Sequence, residues 1–495
     1  MWWRNPWLQT RRRLLGLAVI DALLISAAYN ALYLRLFKKL PGISISVLAL
    51  LMLWLGSSYL LGRYSRPEKG EADSRRHRIL ITLITTAIVL AVVVVILNWG
   101  LNSADPRTFR RFLVPLLASI CLGSSLSQLW MVRQQRRKRF FLLIGESEQL
   151  TILKRELEKD LALNSLDLSY LSTDDVWVGG EQPEPGDRQL HSEAGRQASA
   201  SAASWMEALI PEAGLDGIAV SETAQLDDAV MQRLLAQRSG GTSIISLVHW
   251  AELHLHRVPP ELFSSRWLVQ AEGFELHPGR VGWRLKRLGD LLVALPLLLF
   301  SAPLIGVAAL LIRLEDRGPI FYGQSRTGLF GSTIRIWKLR TMRLDAELAG
   351  AQWSRRDDPR VTRIGHWLRR LRIDELPQLL TVLQGEMSLI GPRPERPEIE
   401  KDLEILIPHY RTRHWIRPGL SGWAQVCYPY GASVQDSRMK LSYDIFYLRN
   451  ANLILDLLIL IKTVRLVSRG QGATPHTDAQ PASLAKANDI QATWR

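Results

Sequence analysis

Four apolar stretches within residues 1–135 restrict the possible folds of this chain more than any other feature. Each is long enough to cross the hydrocarbon core of a bilayer as a helix. They are Leu14–Leu36, Ile43–Leu61, Ile79–Trp99 and Phe112–Val132. The first is too long for a cleavable signal peptide and lacks a small-residue cleavage site. The sequence therefore predicts a region of four transmembrane helices over residues 1–135.

Basic residues predict how these helices are oriented. Lysine and arginine are densest before the first stretch, between the second and third, and after the fourth. If all four helices cross the bilayer, these three segments lie on one side, which the positive-inside rule makes the cytoplasm. We therefore expect a multi-pass protein of the bacterial inner membrane, with the chain after Arg133 on the cytoplasmic face. The net charge of +15 favours anionic partners such as lipid head groups or phosphate substrates.

Residues 136–278 change in pattern and predict a cytoplasmic α/β domain of Rossmann-like type. Short buried strands alternate with helices, as in a small parallel sheet. The predicted elements are strands at Phe140–Gly145, Leu166–Leu171, Ile218–Val220 and Ser243–Val248, and helices at Ser147–Asp160 and Ala224–Arg238. The first strand leads into Gly145-Glu146-Ser147, which is not a dinucleotide-binding G-x-G-x-x-G. A structural or dimerising role is expected, with a disordered insertion at 179–203.

A fifth apolar stretch, residues 288–314, contains Pro296 and Pro303 and has charged residues at both ends. It can be read as a fifth transmembrane helix, which would place the segments before and after it on opposite sides of the membrane. It can also be a re-entrant helix that bends at a proline and returns. A proline frees a carbonyl, which lipid tolerates only if another group satisfies it. Hydropathy alone leaves both alternatives open.

The next domain, residues 279–472, contains an adjacent carboxylate pair, Asp374-Glu375, in a stretch rich in arginine. Pro377 and leucines at helical spacing predict that the pair lies at a helix N-terminus, where negative charge is favoured. One interpretation is that Asp374 is simply an N-cap. Residues 453–467 are apolar but interrupted by charges, which favours a helix in the membrane interface. Residues 473–495 are expected to be a disordered tail.

Arg393 lies in Gly391-Pro392-Arg393-Pro394, where the flanking prolines stiffen and extend the backbone. An arginine held in this way suits a bidentate phosphate contact. Carboxylates among arginines predict a site for a polyanion and a hard metal such as Mg²⁺. A carboxylate next to arginines stays ionised and can attack a phosphoryl group. No pattern typical of nucleic-acid recognition is visible, so nucleic acid is not an expected partner.

Five motifs occur together in an order and spacing that resemble the bacterial sugar transferases of the monotopic phosphoglycosyl transferase type. They are Gln324–Gly328, Trp337–Met342, the Asp374-Glu375 pair, Gly391–Pro394 and Arg417–Val426. The whole chain resembles the large form, typified by undecaprenyl-phosphate glucose or galactose phosphotransferases. The resemblance implies a mainly α, monotopic catalytic domain with a re-entrant helix bent at Pro303. It also implies transfer of a sugar-1-phosphate from a UDP-sugar to undecaprenyl phosphate, releasing UMP, in exopolysaccharide or capsule synthesis.

The resemblance also implies roles for individual residues. Asp374 would be the nucleophile that forms an aspartyl-phosphosugar, and Glu375 would help to hold Mg²⁺. Arg369 and Arg393 would contact phosphate. Four further residues are expected to bind substrate: Lys338, Arg417, Arg326 and Gln425. Lys338 and Arg417 are expected at the nucleotide-sugar side. Membrane lipids and a second copy of the chain are the other expected partners.

Two positions depart from the family pattern. The family usually has serine directly before the bending proline, whereas this chain has Ala302, with Ser301 one residue earlier. After Trp-Ala-Gln-Val the family commonly has asparagine, whereas this chain has Cys427. These departures favour one alternative, a catalytically inactive membrane scaffold or regulator of polysaccharide assembly. A third reading is a multispan glycosyltransferase, which would release UDP and not UMP.

Overall fold

The computed structural model describes nine segments of the chain. They are residues 6–64, 75–100, 106–134, 139–158, 166–173, 215–274, 276–346, 358–428 and 433–468. The chain divides into two compact units, Met1–Leu247 and Val248–Arg495. The predicted insertion at 179–203 and the predicted tail at 473–495 lie outside the described residues. The expected domain boundaries stay predictions.

The first unit begins with the four predicted apolar helices. They are α1 (Pro6–Phe37), α2 (Ile45–Leu60), α3 (Arg75–Gly100) and α4 (Pro106–Gln134). Apolar side chains from all four pack together, among them Ile25, Trp54, Val89 and Leu116. Among the described residues, α1 and α4 contain stretches long and apolar enough to cross a membrane, whereas the apolar parts of α2 and α3 are shorter. Several apolar N-terminal helices are therefore confirmed.

A buried polar cluster ties these helices together. Asp21 of α1 accepts hydrogen bonds from Arg63 Nε at 3.1 Å, Tyr64 Oη at 2.6 Å and Ser124 Oγ of α4 at 2.8 Å. Arg63 also donates to Thr82 Oγ1 of α3 at 2.6 Å. Because charges inside a bundle are costly unless they are paired, this cluster fixes how the four helices meet.

We expect Asp21→Leu to destabilise the helical bundle strongly. Arg63 would be left buried without its carboxylate, which typically costs about 3–5 kcal/mol. Thermal unfolding in detergent would measure the change, with the double variant Asp21→Leu/Arg63→Leu expected to recover much of the loss. Thr85→Val is the control, because the Thr85 hydroxyl donates to the Ile81 carbonyl of its own helix and, among the described residues, contacts no member of the cluster. Equal losses for Asp21→Leu and Thr85→Val would contradict this role.

The first unit also contains the small parallel sheet that the sequence predicts. Its strands are β1 (Arg139–Gly145), β2 (Leu166–Ser172), β3 (Gly217–Val220) and β4 (Ile244–Ser246), in the order β2-β1-β3-β4. The accompanying helices are α5 (Ser147–Glu158) and α6 (Asp228–Ser239). The last strand is shorter than predicted because a helix, α7 (Leu247–Leu255), begins directly after it. Leu247, Trp250 and Ala251 are buried at helical spacing, which explains this difference. A Rossmann-like assignment stays a prediction.

The second unit is mainly helical, with two short sheets. Its helices are α8 (Ser265–Gln270), α9 (Val281–Asp316), α10 (Arg363–Arg370), α11 (Gln378–Gln384), α12 (Pro397–Leu406), α13 (Trp423–Cys427), α14 (Val434–Asn450) and α15 (Leu453–Ser468). Its strands are β5 (Phe321–Thr327), β6 (Thr333–Leu339), β7 (Ser388–Ile390) and β8 (Gly419–Ser421). β5 and β6 form an antiparallel hairpin, and β7 pairs with β8 in parallel.

The helix α9 contains the fifth apolar stretch and both of its prolines. Its N-terminal half is fixed by polar contacts, since Asp290 accepts from Ser388 Oγ at 2.8 Å and Lys286 donates to Asp456 of α15 at 2.7 Å. Its C-terminal half is fixed by apolar packing, since Ala308 and Ile312 are buried against β6 and α10. Between these contacts the helix presents many exposed apolar side chains, including Phe300 at 86% exposure.

The backbone near Pro303 has one supporting side-chain bond. The ring of Pro303 removes the N–H that would reach the Leu299 carbonyl. The buried Ser301 hydroxyl donates to the carbonyl of Leu298 at 3.2 Å. Ser301 stands one residue earlier than the serine of the family pattern. It therefore satisfies the Leu298 carbonyl, next to the Leu299 carbonyl that Pro303 frees.

The helix α15 has one buried and one exposed face, as expected for a helix in a membrane interface. Leu455 and Ile459 are fully buried. The opposite face exposes apolar side chains at helical spacing: Leu453, Leu457, Ile461 and Val464. These side chains suit contact with acyl chains near the head groups.

Candidate active site

The carboxylate pair lies in a tight turn just before α11. The helix α10 ends at Arg370, and Arg372 then adopts a left-handed conformation with φ of 58°. This reverses the chain into a 3₁₀ turn, Ile373–Glu375, which leads into α11. The pair thus begins a helical segment, as predicted. The interpretation of Asp374 as an N-cap is wrong. Arg372 is the N-cap of the 3₁₀ turn and Pro377 is the N-cap of α11, and neither start has a side-chain capping bond.

Glu375 is held by three cationic side chains. Arg393 Nη2 lies 2.5 Å and Lys338 Nζ 3.3 Å from its Oε1, and Arg372 Nη1 lies 3.5 Å from its Oε2. Burial on its own would raise the pKa of Glu375. The charges of Arg393, Lys338 and Arg372 outweigh burial and hold that pKa well below its ordinary value. Glu375 is therefore a fixed negative charge.

Asp374 has the opposite electrostatic balance. It is buried, and its Oδ1 has no hydrogen-bond partner among the described residues. Burial, followed by the adjacent charge of Glu375, raises the pKa of Asp374 to about 6. Lys338 and Arg369 act in the opposite direction. Neighbouring carboxyl groups with pKa values moved apart are typical of sites where each group has its own role.

Lys338 reaches the pair from the hairpin. It lies on β6, opposite Tyr322 of β5, on the strand face that it shares with the buried Ile334 and Ile336. Burial, which is the largest effect, lowers the pKa of Lys338 to about 8, although Glu375 acts to raise it. The hairpin therefore delivers a cation whose charge is lost in mildly alkaline solution.

The loop that carries Arg393 is positioned by two further arginines. Arg413 is buried and donates to the Arg393 carbonyl at 2.9 Å, and Arg326 of β5 donates to the Pro394 carbonyl at 3.2 Å. The loop can start close to β8 only because Gly391 lacks a side chain, since a Cβ there would overlap the Arg417 carbonyl. Arg413 and Arg326 thus fix the backbone carbonyls of Arg393 and Pro394, the loop from which the Arg393 side chain extends.

Arg369 approaches the pair from α10. Its Nε donates to Thr341 Oγ1 at 2.9 Å, and its charge is among those that lower the pKa of Asp374. The helix packs this closely because Gly365 has no side chain, as a Cβ would overlap the Thr341 backbone. The structure thus brings Arg369, Arg393 and Lys338 together around the carboxylates, whereas Arg326 contacts the Arg393 loop.

Two predicted substrate-binding residues have other surroundings. Arg417 stacks on Trp283 of α9, with its guanidinium carbon 4.4 Å from the ring centroid. Gln425 of α13 donates to the Leu420 carbonyl at 3.5 Å. Within the described segments, neither side chain has a recorded contact with Asp374 or Glu375, and their roles stay predictions. Cys427, which stands where the family commonly has asparagine, has its Sγ 3.5 Å from Lys462 Nζ.

Known proteins contain the same sequence pattern. Residues 281–470 match the family described as bacterial sugar transferase. The chain is 43% identical over 181 residues to the UDP-glucose:undecaprenyl-phosphate glucose-1-phosphate transferase of Caulobacter vibrioides, covering 36% of this chain and 68% of that relative. The chain belongs to the bacterial sugar transferase family. The family resemblance inferred from the five motifs is thereby confirmed.

Two further relatives are longer than the region that they share with this transferase. The UDP-N-acetylgalactosamine-undecaprenyl-phosphate N-acetylgalactosaminephosphotransferase of Aeromonas hydrophila is 46% identical over 189 residues, which is 38% of this chain and 45% of the relative. The undecaprenyl-phosphate glucose phosphotransferase of Komagataeibacter xylinus is 42% identical over 186 residues, which is 36% of this chain and 35% of the relative. The chain therefore spans less than half the length of either. Their names specify different sugars.

The carboxylates of the transferase fit a hard cation that arrives with a phosphate ligand. The unpartnered Asp374 Oδ1 is a suitable donor, and Glu375 lies next to it. The described residues contain no group of three or more His, Cys, Asp or Glu side chains that could enclose a metal ion. Mg²⁺ typically binds one or two carboxylates and takes its other ligands from substrate phosphates and water. The donor set matches that pattern.

Some site residues of the transferase were not predicted. Arg372 contacts Glu375, and its position two residues before Asp374 could have identified it. Arg413 acts through the distant Arg393 loop, and no motif identifies it. Thr341 lies in the Trp337–Met342 motif, but its contact with Arg369 was not predicted. Pattern alone therefore finds the groups that surround the carboxylates more readily than the groups that position them.

Asp374→Asn should stabilise the folded transferase near pH 7 and have little effect near pH 4. A carboxyl group whose pKa is raised from 3.8 to about 6 contributes stability below pH 3.8 and loses it as the pH rises through 6. The gain for the variant at pH 7 is on the order of 2–3 kcal/mol. Thermal unfolding of the detergent-solubilised chain at both pH values would measure it.

Glu375→Gln is the matched control, because the pKa of Glu375 is lowered. A lowered pKa contributes stability above the ordinary pKa, so this neighbouring variant should be destabilised at pH 7. Two variants that shift stability in the same direction at pH 7 would contradict the assignment of the charges.

Proposed function

We propose that this chain transfers a sugar-1-phosphate from a UDP-sugar to undecaprenyl phosphate, giving an undecaprenyl-diphosphate sugar and UMP. The carrying observation is the buried Asp374 Oδ1, which has no partner in the described structure and lies beside a fixed, cation-bound Glu375. The names of the Caulobacter and Komagataeibacter relatives support undecaprenyl phosphate as the acceptor. A hexose, glucose or galactose, is the proposed sugar.

The first step is a displacement at the sugar-proximal phosphorus of the UDP-sugar. An ionised Asp374 oxygen attacks that phosphorus, the bond to the bridging oxygen breaks, and UMP leaves with the bonding electrons. Arg393 and Lys338 lie where they can compensate charge on the phosphoryl oxygens. Arg369 reaches the same region and helps to keep Asp374 ionised. The product is an aspartyl-phosphosugar on the protein.

The second step returns the enzyme to its starting state. A phosphate oxygen of undecaprenyl phosphate attacks the same phosphorus, and the Asp374 carboxylate leaves. Glu375 keeps its cations in place throughout because its own charge does not change. Mg²⁺ held by Asp374 and Glu375 would neutralise diphosphate charge when bound. Each phosphorus–oxygen bond that breaks is replaced by one that forms.

The reaction site is proposed to lie at the membrane surface, with α9 as a re-entrant helix. The same compact unit contacts both halves of α9. Asp290 bonds to Ser388, whereas Ala308, 18 residues later and about 27 Å along a straight helix, packs against β6 and α10. A helix crossing the bilayer would place one polar unit on both sides of the hydrocarbon core, which it cannot do. Bending near Pro296 or Pro303 keeps both ends on the cytoplasmic side.

Asp374→Asn should abolish transfer, since an amide cannot form the covalent link. UMP release would be measured with purified full-length chain, a panel of UDP-sugars and undecaprenyl phosphate. With UDP-sugar labelled in the sugar-proximal phosphate, the wild type should acquire protein-bound label and the variant none. Glu404→Gln, an exposed position in an ion pair with Arg411, is the control. Normal turnover by Asp374→Asn would refute the proposal, and release of UDP would indicate a glycosyltransferase. A wild type without UMP release would favour the inactive scaffold.

The pH dependence of kcat/KM should be bell-shaped. Activity rises as the pH passes about 6, because Asp374 must be ionised to attack. It falls as the pH passes about 8, because Lys338 then loses its charge. Lys338→Arg should move the alkaline limb upward and leave the acid limb in place, since guanidinium does not titrate in this range. An alkaline limb that Lys338→Arg leaves unchanged would exclude Lys338 as its origin.

The re-entrant helix can be tested by cysteine accessibility. In a chain without Cys121 and Cys427, single cysteines would replace Val281 or Leu314, which are 71% and 70% exposed near the two ends of α9. A membrane-impermeant maleimide should label both in inverted vesicles and neither in spheroplasts. Phe300→Cys, near the middle, should resist labelling from either side. Labelling of the two ends from opposite sides would show that α9 crosses the membrane.

A further inference from the structure

Gln378 is a buried polar residue that the two displacement steps do not use. It is the first residue of α11, four positions after Asp374 and three after Glu375. Its side chain is 2% exposed, and its Nε2 is shielded from water without a hydrogen-bond partner among the described residues. A buried donor without a partner costs free energy, and buried polar groups in native proteins nearly always have one. The Gln378 amide therefore needs an acceptor that the described residues do not supply.

The backbone turns Gln378 toward the same side as the carboxylate pair. Between the 3₁₀ turn and α11, Leu376 and Pro377 keep right-handed helical torsions, with φ of −58° and −60°. One helical segment therefore runs from the pair into α11. Side chains three and four residues apart on such a segment are neighbours, with Cβ atoms about 5–6 Å apart. Leu380, which is 50% exposed, marks the opposite side.

Two unpartnered atoms on this side are complementary. Asp374 Oδ1 is an acceptor and Gln378 Nε2 is a donor, and both are shielded from water. They do not bond to each other, since neither has a partner among the described residues. A group that joins Oδ1 and also offers an acceptor to the amide would satisfy both atoms. A phosphoryl group attacked by Asp374 does this, because its phosphorus meets Oδ1 while its non-bridging oxygens face the surrounding donors.

A neutral donor has a use in this site that the cations do not cover. Lys338 and Arg393 are bound to Glu375, and part of their charge is balanced there. The Gln378 amide is uncharged, so Glu375 does not compete for it in the same way. A donor fixed in a site from which water is excluded stabilises charge on a phosphoryl oxygen more than a donor in water does.

We propose that the Gln378 amide donates a hydrogen bond to a non-bridging oxygen of the phosphoryl group that Asp374 attacks. This inference rests on the function proposed above and assigns a further substrate-contacting residue to the same site. The contact is made in both steps, because the same phosphorus is attacked twice. It does not depend on which sugar the phosphoryl group carries.

Gln378→Met tests the contact, since methionine has a similar length and lacks the donor. Release of UMP would be measured with purified full-length chain, undecaprenyl phosphate and three donors: UDP-glucose, UDP-galactose and UDP-N-acetylgalactosamine. The variant should lower kcat roughly tenfold to a hundredfold, as expected for one lost hydrogen bond to a charged oxygen. Its thermal unfolding in detergent should match that of the wild type or occur at a higher temperature, because the free protein loses no hydrogen bond.

Rapid quenching separates the two steps. With label in the sugar-proximal phosphate, both the formation of labelled protein and its discharge by undecaprenyl phosphate should be slower in Gln378→Met. Gln378→Glu has the same shape as the wild type but places a carboxylate where the amide was. It should lose more activity than Gln378→Met, because its charge repels the phosphoryl oxygens.

Gln384→Met is the matched control, since it makes the same change at an exposed position of the same helix. It should leave turnover and stability unchanged. Equal losses of activity in Gln378→Met and Gln384→Met would overturn the proposal. A large loss of stability in Gln378→Met would also overturn it, by showing that the amide has a structural partner.

The remaining outcomes separate this inference from the proposed function. Normal turnover by Gln378→Met, with an active wild type, would overturn only the role of Gln378. A loss confined to one sugar of the panel would overturn it too and would assign the amide to a sugar hydroxyl. A wild type that releases no UMP from any of the three donors would overturn both proposals.

Discussion

The ion pairs that hold Glu375 are the interactions on which the arrangement of the active site depends. The cations come from three separate segments: β6 supplies Lys338, the proline-flanked loop supplies Arg393, and the turn itself supplies Arg372. A buried carboxylate without such partners would cost several kcal/mol. The three segments therefore have to meet at this point for the unit to fold. Because Glu375 keeps its negative charge, burial and repulsion from that charge both disfavour ionisation of Asp374. Packing therefore raises the pKa of Asp374 and lowers that of Glu375.

A second layer of buried charge supports this arrangement. Arg413 lies behind the Arg393 loop and is paired with Asp444 at 3.0 Å, while His414 Nε2 lies 3.2 Å from Glu400. These groups touch neither carboxylate of the pair among the contacts described. They fix the backbone from which Arg393 extends, so the position of one guanidinium depends on residues of the 3₁₀ turn Tyr410–Trp415 and of α14. The candidate active site is thus supported by buried ion pairs in the core of its unit.

The secondary-structure elements could be predicted from the sequence better than the tertiary contacts between them. Apolar runs and strand-like segments identified the N-terminal helices and the parallel sheet because periodicity and burial are local properties. Lys338 and Arg393 were also predictable as site residues, since each lies in a short motif, and Arg369 stands in the arginine-rich stretch before the pair. The left-handed Arg372, the support from Arg413 and the stacking of Arg417 on Trp283 were not, because each depends on tertiary contacts. The strand predicted at Ser243–Val248 was too long, because its apolar residues suit a buried strand and a buried helix equally well.

Both halves of α9 are fastened to the same compact unit, which affects how that unit senses the bilayer. A helix that crosses a membrane must match its apolar length to the hydrocarbon thickness, and it tilts or strains the lipid when the two differ. A helix that enters and leaves on one side has no such length to match. In the proposed arrangement, the depth of Asp374 is set by the contacts of Asp290 and Ala308 within the protein. The reaction site would therefore keep its distance from the head groups in membranes of different thickness.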